Sequence, residues 1–198
     1  MKIEPVTLEG EFVRLEPLKI EHLDALCEVG MTDSLWFFTA NVVQTVEDMR
    51  KYVETALNEA ERKVSLPFVT IDRKQNKIIG STRFGNIDAH NRKAEIGWTW
   101  INPLWQRTNI NTEAKLLMLT HAFETWNCVR VELKTDVLNE KSRNAMLRIG
   151  AKQEGILRRH IITDAGRFRD TIYFSIIDDE WRDVKENLRA KLAKSNAI

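Results

Sequence analysis

The sequence predicts an α/β fold of the mixed kind: a mostly antiparallel sheet with a central parallel strand pair and helices on both faces. Three observations carry this. Apolar spacing switches along the chain between a helical period and strict alternation. Three β-type runs joined by short polar turns sit in mid-chain, and such turns connect antiparallel neighbours. A strand–helix–strand step then spans residues 94–135, long enough for a crossover that leaves its two strands parallel.

In chain order, "EFVRLEPL" alternates Val13 and Leu15 against Phe12, Arg14 and Glu16 and reads as a first strand. A helix over about 20–29 follows and stops near Gly30. Thr45 caps "VEDMRKYVETALNEAERK", whose Val46, Met49, Val53, Ala56, Leu57 and Ala60 keep helical spacing. The runs "LPFVTID", "KIIGSTRFGNI" and "AEIGWTWI" come next, broken by "RKQN" and "DAHNRK". A loop beginning "NPLWQRTNIN" feeds a helix with Leu116, Leu119, Phe123 and Trp126 on one face. "VRVELKTD" is the clearest strand, with Val129, Val131 and Leu133 on one side and Arg130, Glu132 and Lys134 on the other. "NEKSRNAMLRIG" is a helix ended by Gly150. "GILRRHIIT" and "FRDTIYFSIID" form a hairpin around "DAGR", and residues 179–198 are a polar C-terminal helix or tail. No repeat or Pro/Gly/Ser linker divides the 198 residues, so 1–198 is expected to be one domain.

Composition narrows the function classes. Hydrophobic residues make up 43% and charged residues 30%, the mixture of a globular protein with a real core. Thirty basic residues against 29 acidic ones give no general electrostatic reason to bind nucleic acid or an anionic membrane. Cys27 and Cys128 lack CxxC spacing, and Cys27 shares the apolar side of its helix with Leu23 and Leu26, so a buried free thiol is expected. The opening "MKIEPVTLEGE" has no apolar signal core and no run of eighteen apolar residues occurs, which predicts a cytoplasmic protein.

The common cofactor and nucleophile motifs are missing. Neither GxGxxG nor GxxxxGK[ST] is found, nor a GxSxG elbow. His22, His90, His121 and His160 have no HxxxH or HExxH spacing, so no metal is expected.

Two stretches carry a resemblance. "AEIGWTWINPLWQRTNINTEAKLLMLTHAFE" and "RVELKTDVLNEKSRNAMLRIGAKQEGILRRH" resemble the GNAT superfamily of acetyl-CoA-dependent N-acetyltransferases, and within it the RimJ/RimL-like ribosomal-protein N-terminal acetyltransferases. The likeness covers about residues 8–181 and implies a GNAT fold with acetyl-CoA (coenzyme A) as co-substrate. The family's pyrophosphate loop reads Q/R-x-x-G-x-G/A. Here it corresponds to Gln106, Arg107, Thr108, Asn109, Ile110 and Asn111, followed by Thr112, with asparagines where glycines are usual. Backbone N–H groups at a helix N-terminus suit an anion. Asparagine tolerates a left-handed backbone, so Asn109 is expected to substitute for glycine by conformation, with Asn111 or Thr112 able to cap the helix.

The resemblance further places Trp100 and Ile101 beside the pantetheine, where a backbone N–H polarises the thioester carbonyl. Equally, Trp98 and Trp100 are ordinary core aromatics. Acetyl transfer to an amine needs a base for the ammonium and help for the departing thiolate, but no enzyme nucleophile. Glu95 is the candidate base by family position, against a solvated carboxylate or one paired with Arg92 or Lys93; Asp136 and His90 are lesser candidates. The tyrosine that many members use as acid is replaced by Met146. The branch instead carries N-x-x-S, matched by Asn139 for the pantetheine and Ser142 near the sulfur. Asn139 also suits a helix N-cap, and Arg143 either reaches the phosphates or is solvated.

The implied reaction is transfer of an acetyl group to a primary amine, a small molecule or a protein N-terminus, by direct attack on the thioester. A non-catalytic acyl-CoA-binding or regulatory module, or an interaction protein on the same scaffold, remains the alternative. The acceptor cleft is expected between residues 30–62 and 156–172, with Trp36, Phe37 and Phe38 lining it or packing in the core. No nucleic acid or membrane partner is implied, and a homodimer stays open.

Overall fold

The computed structural model describes residues 1–195. The chain begins with a two-residue strand β1 (Leu8–Glu9) and then β2 (Val13–Pro17), in which Val13 and Leu15 are fully buried. A 3-10 turn (Ile20–His22) leads into α1 (Leu23–Gly30), and a single helical turn, α2 (Asp33–Trp36), follows. α3 (Val46–Glu61) starts where its cap predicts. Thr45 Oγ1 accepts from the Asp48 amide and Asp48 Oδ2 from the Thr45 amide, at 3.1 and 2.9 Å, so two orphan donors are satisfied reciprocally. Cys27 is half-buried rather than buried, since the inward face of α1 is set by Leu23, Leu26 and Val29; Cys128 is buried, and both thiols are free.

The sheet's middle is β3 (Leu66–Asp72), β4 (Lys77–Asp88) and β5 (Lys93–Ile101). α4 (Asn109–Thr120) continues as a π-helical turn over His121–Thr125 before β6 (Arg130–Asp136). The residues of α4 that turn inward are Ile110, Ala114, Met118 and Leu119, while Leu116 is only half-buried. Ala122, Phe123 and Trp126 extend the same stripe at steps of three and four through the π turn into the same core. α5 (Glu140–Arg148) ends on Gly150, whose φ of +96° places it in the left-handed region. The hairpin β7 (Lys152–Ile162) and β8 (Phe168–Ile177) turns through Gly166, and α6 (Asp178–Ser195) closes the described chain; the last part of the expected tail, 196–198, lies outside the described residues.

All eight strands form one sheet in the order β1-β2-β3-β4-β5-β6-β8-β7. Every pair is antiparallel except β5 and β6, which are parallel as the crossover requires. Two apolar cores sit on the two faces. One gathers α4 and α6 over Phe68, Phe84, Ile96, Val131, Leu133 and Phe174. The other gathers α1 and α3 around Val69, Ile71 and Trp100. No described helix is long and apolar enough to cross a membrane.

Candidate active site

The parallel pair does not stay together. β5 and β6 are in register only over Lys93↔Arg130, Ala94↔Val131 and Glu95↔Glu132. From Ile96 to Ile101 β5 keeps its β4 neighbour but has no strand on its other side, so alternate backbone groups face an open wedge. A bulge sits within this stretch. Opposite Ser81–Arg83, β5 carries one residue more, Gly97 to Trp100, and Trp98 takes φ +49°. The bulge changes which face is presented. Ala94 and Ile96 pack in the α4 core, yet Trp98 and Trp100, at the same spacing, pack in the α1/α3 core. The Trp98 ring lies over Gly85, where a Cβ would meet it at 2.3 Å.

The loop after β5 is held from several sides. Asn102 Nδ2 donates to the Val29 carbonyl at 2.8 Å, Trp105 Nε1 to Asp72 at 3.1 Å and Gln106 Nε2 to the Ile101 carbonyl at 2.9 Å. Thr108, not Asn111 or Thr112, is the N-cap of α4, its Oγ1 accepting from the Ile110 amide at 3.4 Å. Asn109 is the first helical residue and has an ordinary helical backbone. The left-handed residue of the loop is Arg107, with φ +62°. The expectation that Asn109 imitates glycine by conformation is therefore corrected: the reversal of the chain comes two residues earlier, which leaves Asn109 free to begin the helix. Asn111 is half-buried and its Oδ1 has no partner.

Farther along α4, the Glu113 carboxylate accepts from the amides of Glu11, Phe12 and Val13 at 2.7, 2.7 and 2.8 Å, which moors the helix to the start of β2. Lys115 is 6% exposed and donates to Thr99 Oγ1 at 2.8 Å; burial alone lowers its pKa to about 7. Thr99 is exposed in the open part of β5 and shares a 2.7 Å bond with Thr82. A groove of about 990 Å³ runs beside the loop, between Arg107 and the Arg73–Lys74 turn, on the β3–β4 side rather than over the wedge.

On the other face, Glu95 is 3% exposed and accepts from Asn86 Nδ2 at 2.7 Å and from Lys134 Nζ at 2.9 Å. Its partner is thus Lys134 of β6, not Arg92 or Lys93, because residues 95 and 134 point to the same side of the sheet while Arg92 lies in the turn. Lys134 also stands over the rings of Trp98 and Tyr173, at 5.9 and 5.7 Å. A second groove, of about 600 Å³, opens beside Trp98 and Asn86. Asp136 is fully buried and pairs with Arg167.

Beyond the wedge, Asn139 caps α5 by accepting from the Ser142 amide at 3.0 Å, and Arg143 donates to the Val137 carbonyl at 3.0 Å. Ser142 and Met146 are both half-buried, with Met146 against the α4 core. Among the described residues no group of three His, Cys, Asp or Glu side chains is placed to hold a metal ion.

A sheet splayed at its one parallel pair, with a bulge in the open strand and a helix starting at the mouth, can now be set beside known proteins. Residues 13–152 match the family described as the acetyltransferase (GNAT) domain. The chain is a GNAT acetyltransferase. By family, then, it is an acyl-CoA-dependent N-acetyltransferase, and its relatives include the RimJ-like ribosomal branch. A GCN5-related N-acetyltransferase from Brucella melitensis superposes with a TM-score of 0.87 at 31% identity, over 94% of this chain and 85% of that one. Mycobacterium smegmatis RimJ, solved in complex with CoA-disulfide, shares the fold at a TM-score of 0.80 and 24% identity, over 94% and 95% of the two chains. The provisionally named ribosomal N-acetyltransferase YdaF of Bacillus subtilis is 37% identical over 108 residues, which is 54% of this chain and only 58% of that protein's length.

Within this GNAT domain, Trp100, Ile101 and Gln106–Thr112 gather at one mouth of the wedge and Asn139, Ser142 and Arg143 at the start of α5, across β6. The Trp100 indole itself is 4% exposed and packs against Trp36 at 5.5 Å, and its carbonyl faces β4 at Gly80, so the backbone turned to the open edge is that of the next residue, Ile101, whose carbonyl accepts from Gln106. Trp36 is likewise core, Phe37 is 71% exposed, and Phe38 is half-buried. His90 lies in the β4–β5 turn, away from this arrangement. Lys115, Lys134, Glu113 and Arg169 were not singled out from the sequence. The first had a visible signal, since a lysine one position after Ala114 interrupts the inward stripe of α4.

Proposed function

We propose that this protein transfers the acetyl group of acetyl-CoA to a primary amine by direct attack on the thioester. The observation that carries the proposal is the unpaired edge of β5 from Ile96 to Ile101, ending at the N-terminus of α4. An extended amide chain such as pantetheine can hydrogen-bond to a free strand edge as a further strand would. First-turn amides of a helix lack intrahelical partners and favour a diphosphate.

In this reading the backbone at Trp100 and Ile101 lies beside the pantetheine and polarises the thioester carbonyl. The loop of Gln106, Arg107, Thr108, Asn109, Ile110, Asn111 and Thr112 holds the pyrophosphate. Asn139 keeps its capping bond to Ser142 and offers its amide to the pantetheine. Ser142 stands towards the sulfur and Arg143 towards the phosphates. Glu95 takes the proton of the incoming ammonium. Its carboxylate now holds the ammonium of Lys134, so an acceptor ammonium can be received there only by sharing or replacing that partner. The acceptor is a small amine or a protein N-terminus. The names of the RimJ and YdaF relatives favour the latter class.

The test is twofold. Acetyl-CoA should raise the melting temperature, with a gain of about 2.7 kcal/mol at a concentration of ~100 times its dissociation constant. CoA release should follow when amino acids, peptide N-termini and polyamines are screened. An unmoved melting curve at millimolar acetyl-CoA rejects the reading. Binding without release for any amine replaces it with the non-catalytic alternative.

A further inference from the structure

Three lysine or arginine side chains are buried among the described residues: Arg83, Lys115 and Arg169. Arg83 pairs with Glu59 at 2.9 Å, and Lys115 has Thr99. Arg169, on β8, is the least provided for. It is 7% exposed, its Nε has no partner, and its one recorded bond is a long 3.4 Å contact from Nη1 to the Phe38 carbonyl. The nearby carboxylates are taken. Asp136 holds Arg167 and the Leu138 amide, and Glu95 holds Lys134 and Asn86.

Two residues along the same face of β8 stands Thr171, fully buried, with an Oγ1 that also has no partner. It sits opposite Asp136 in the β6–β8 register and one step from Tyr173, whose ring faces Lys134. A guanidinium N–H and a hydroxyl thus lie on one face of one strand, out of water and each without a hydrogen-bond partner. Burying such groups unpaired is costly, and folds rarely keep them without a partner. The charges say what partner. Glu95 is paired with Lys134 and Asp136 with Arg167, which leaves Arg169 as the cation of this group without a carboxylate of its own. A monoanion neutralises it, whereas a phosphate dianion would overshoot beside Asp136. Burial pushes the pKa of Arg169 down and Asp136 pushes it back up, and an arginine keeps its charge under both. The segment after α2 closes over the place: the Asp164 amide donates to the Ala40 carbonyl at 3.0 Å and the Val42 amide to Asp164 Oδ2 at 3.1 Å.

We propose that Arg169 and Thr171 form an anion subsite that binds a carboxylate of the acceptor, so that the preferred acceptor is an amine bearing a carboxylate. The guanidinium supplies planar charge-assisted donors and Thr171 a further one. This rests on the acetyltransferase reading for the identity of the acceptor, though not for the anion site itself. The carboxylate has two sources: the α-carboxylate of a free amino acid, or an acidic side chain next to a peptide N-terminus.

The experiment compares matched acceptors at saturating acetyl-CoA: an amino acid against its amide, and a peptide with Glu in second place against its Gln twin. The carboxylate member of one pair should have the higher kcat/KM by roughly 30-fold or more, and that pair names the source. Arg169→Met should abolish the preference with coenzyme affinity unchanged, and Arg169→Lys should keep part of it. Calorimetric binding of the corresponding N-acetylated carboxylates and amides to the CoA-loaded protein reads the subsite without turnover. Equal treatment of carboxylate and amide by the wild type, or a preference that survives Arg169→Met, overturns the proposal. Transfer without such preference leaves the acetyltransferase reading intact and removes the subsite. Arg169-dependent binding without transfer to any amine does the reverse. If Arg169→Met does not fold, the wild-type discrimination and Arg169→Lys decide.

Discussion

The ammonium of Lys115 rests 2.8 Å from the hydroxyl of Thr99, and no carboxylate forms an ion pair with it. Glu113, two residues earlier on the same helix, is occupied by three backbone amides, and Glu124 of the following turn is paired with Lys185 of α6. Desolvation is therefore the cause that lowers the Lys115 pKa from 10.5 to about 7. An unfolded chain restores the ordinary value, so between these two pH values it binds more protons than the folded one, and stability rises with pH across that window. Below about pH 7 both states are protonated and the full cost of the buried charge is felt. Lys115→Met should flatten this dependence and raise stability at neutral pH and below, by up to about 5 kcal/mol. Denaturant unfolding at about pH 6, 8 and 10 checks it; parallel pH profiles for the two proteins would mean that Lys115 is solvated.

Glu113 gives the opposite expectation. Three amide donors converge on its carboxylate from the strand start at residues 11–13. Glu113→Gln puts an NH₂ among N–H groups and should cost about 3 kcal/mol. Hydrogen exchange should quicken at Phe12 and Val13 first, and unchanged exchange there would show that the strand does not depend on this mooring.

Arg107 and Asn109 can be told apart by substitution. Arg107→Gly should be tolerated or mildly stabilising, since φ +62° suits glycine. Asn109→Gly, in a helical first turn, should lose a few tenths to about 1 kcal/mol. Arg107→Val should be the poorest, at about 1–3 kcal/mol. Melting curves with and without acetyl-CoA separate strain in the fold from lost contact with the ligand, and a valine that behaves like arginine would move the strained position elsewhere.

For Glu95, the expectation is kinetic. Glu95→Gln should lower kcat by roughly 10²-fold with little change in coenzyme affinity if this carboxylate receives the acceptor's proton. Wild-type turnover with an unaltered pH profile assigns the base elsewhere and leaves Glu95 as the anchor of Lys134.

The order of the major elements was readable because each has a local cause: the Thr45 box for α3, the alternation of Val131 and Leu133 for β6, Gly150 for the end of α5. The parallel pairing of β5 and β6 followed from the length of their connection. What the sequence did not disclose depends on contacts made across the sheet. Trp98 looks like any strand residue, and its positive φ arises from a surplus residue counted against β4, which no single strand reveals. Glu95 acquires Lys134 only once β6 lies beside β5. The asparagines of the loop suggested backbone substitution at the wrong place, because Arg107, with no propensity for a left-handed backbone, is the residue forced into it by the bonds that hold Asn102, Trp105 and Gln106.

The surplus residue in β5 has a consequence for how this chain can vary. Removing one amino acid between Gly97 and Trp100 would restore plain alternation with β4 and leave Trp100 where it is, opposite Ser81 and beside Trp36; the single residue left between them would face α4, as Thr99 does, so the place of Trp98 over Gly85 would be lost. Lengths of surface turns such as Arg73–Asn76 can drift by insertion and deletion, but here the count of residues is itself inherited. A relative aligned with a gap in this stretch should have lost the tryptophan at position 98 while keeping the one at 100, and should then tolerate a residue larger than glycine at position 85.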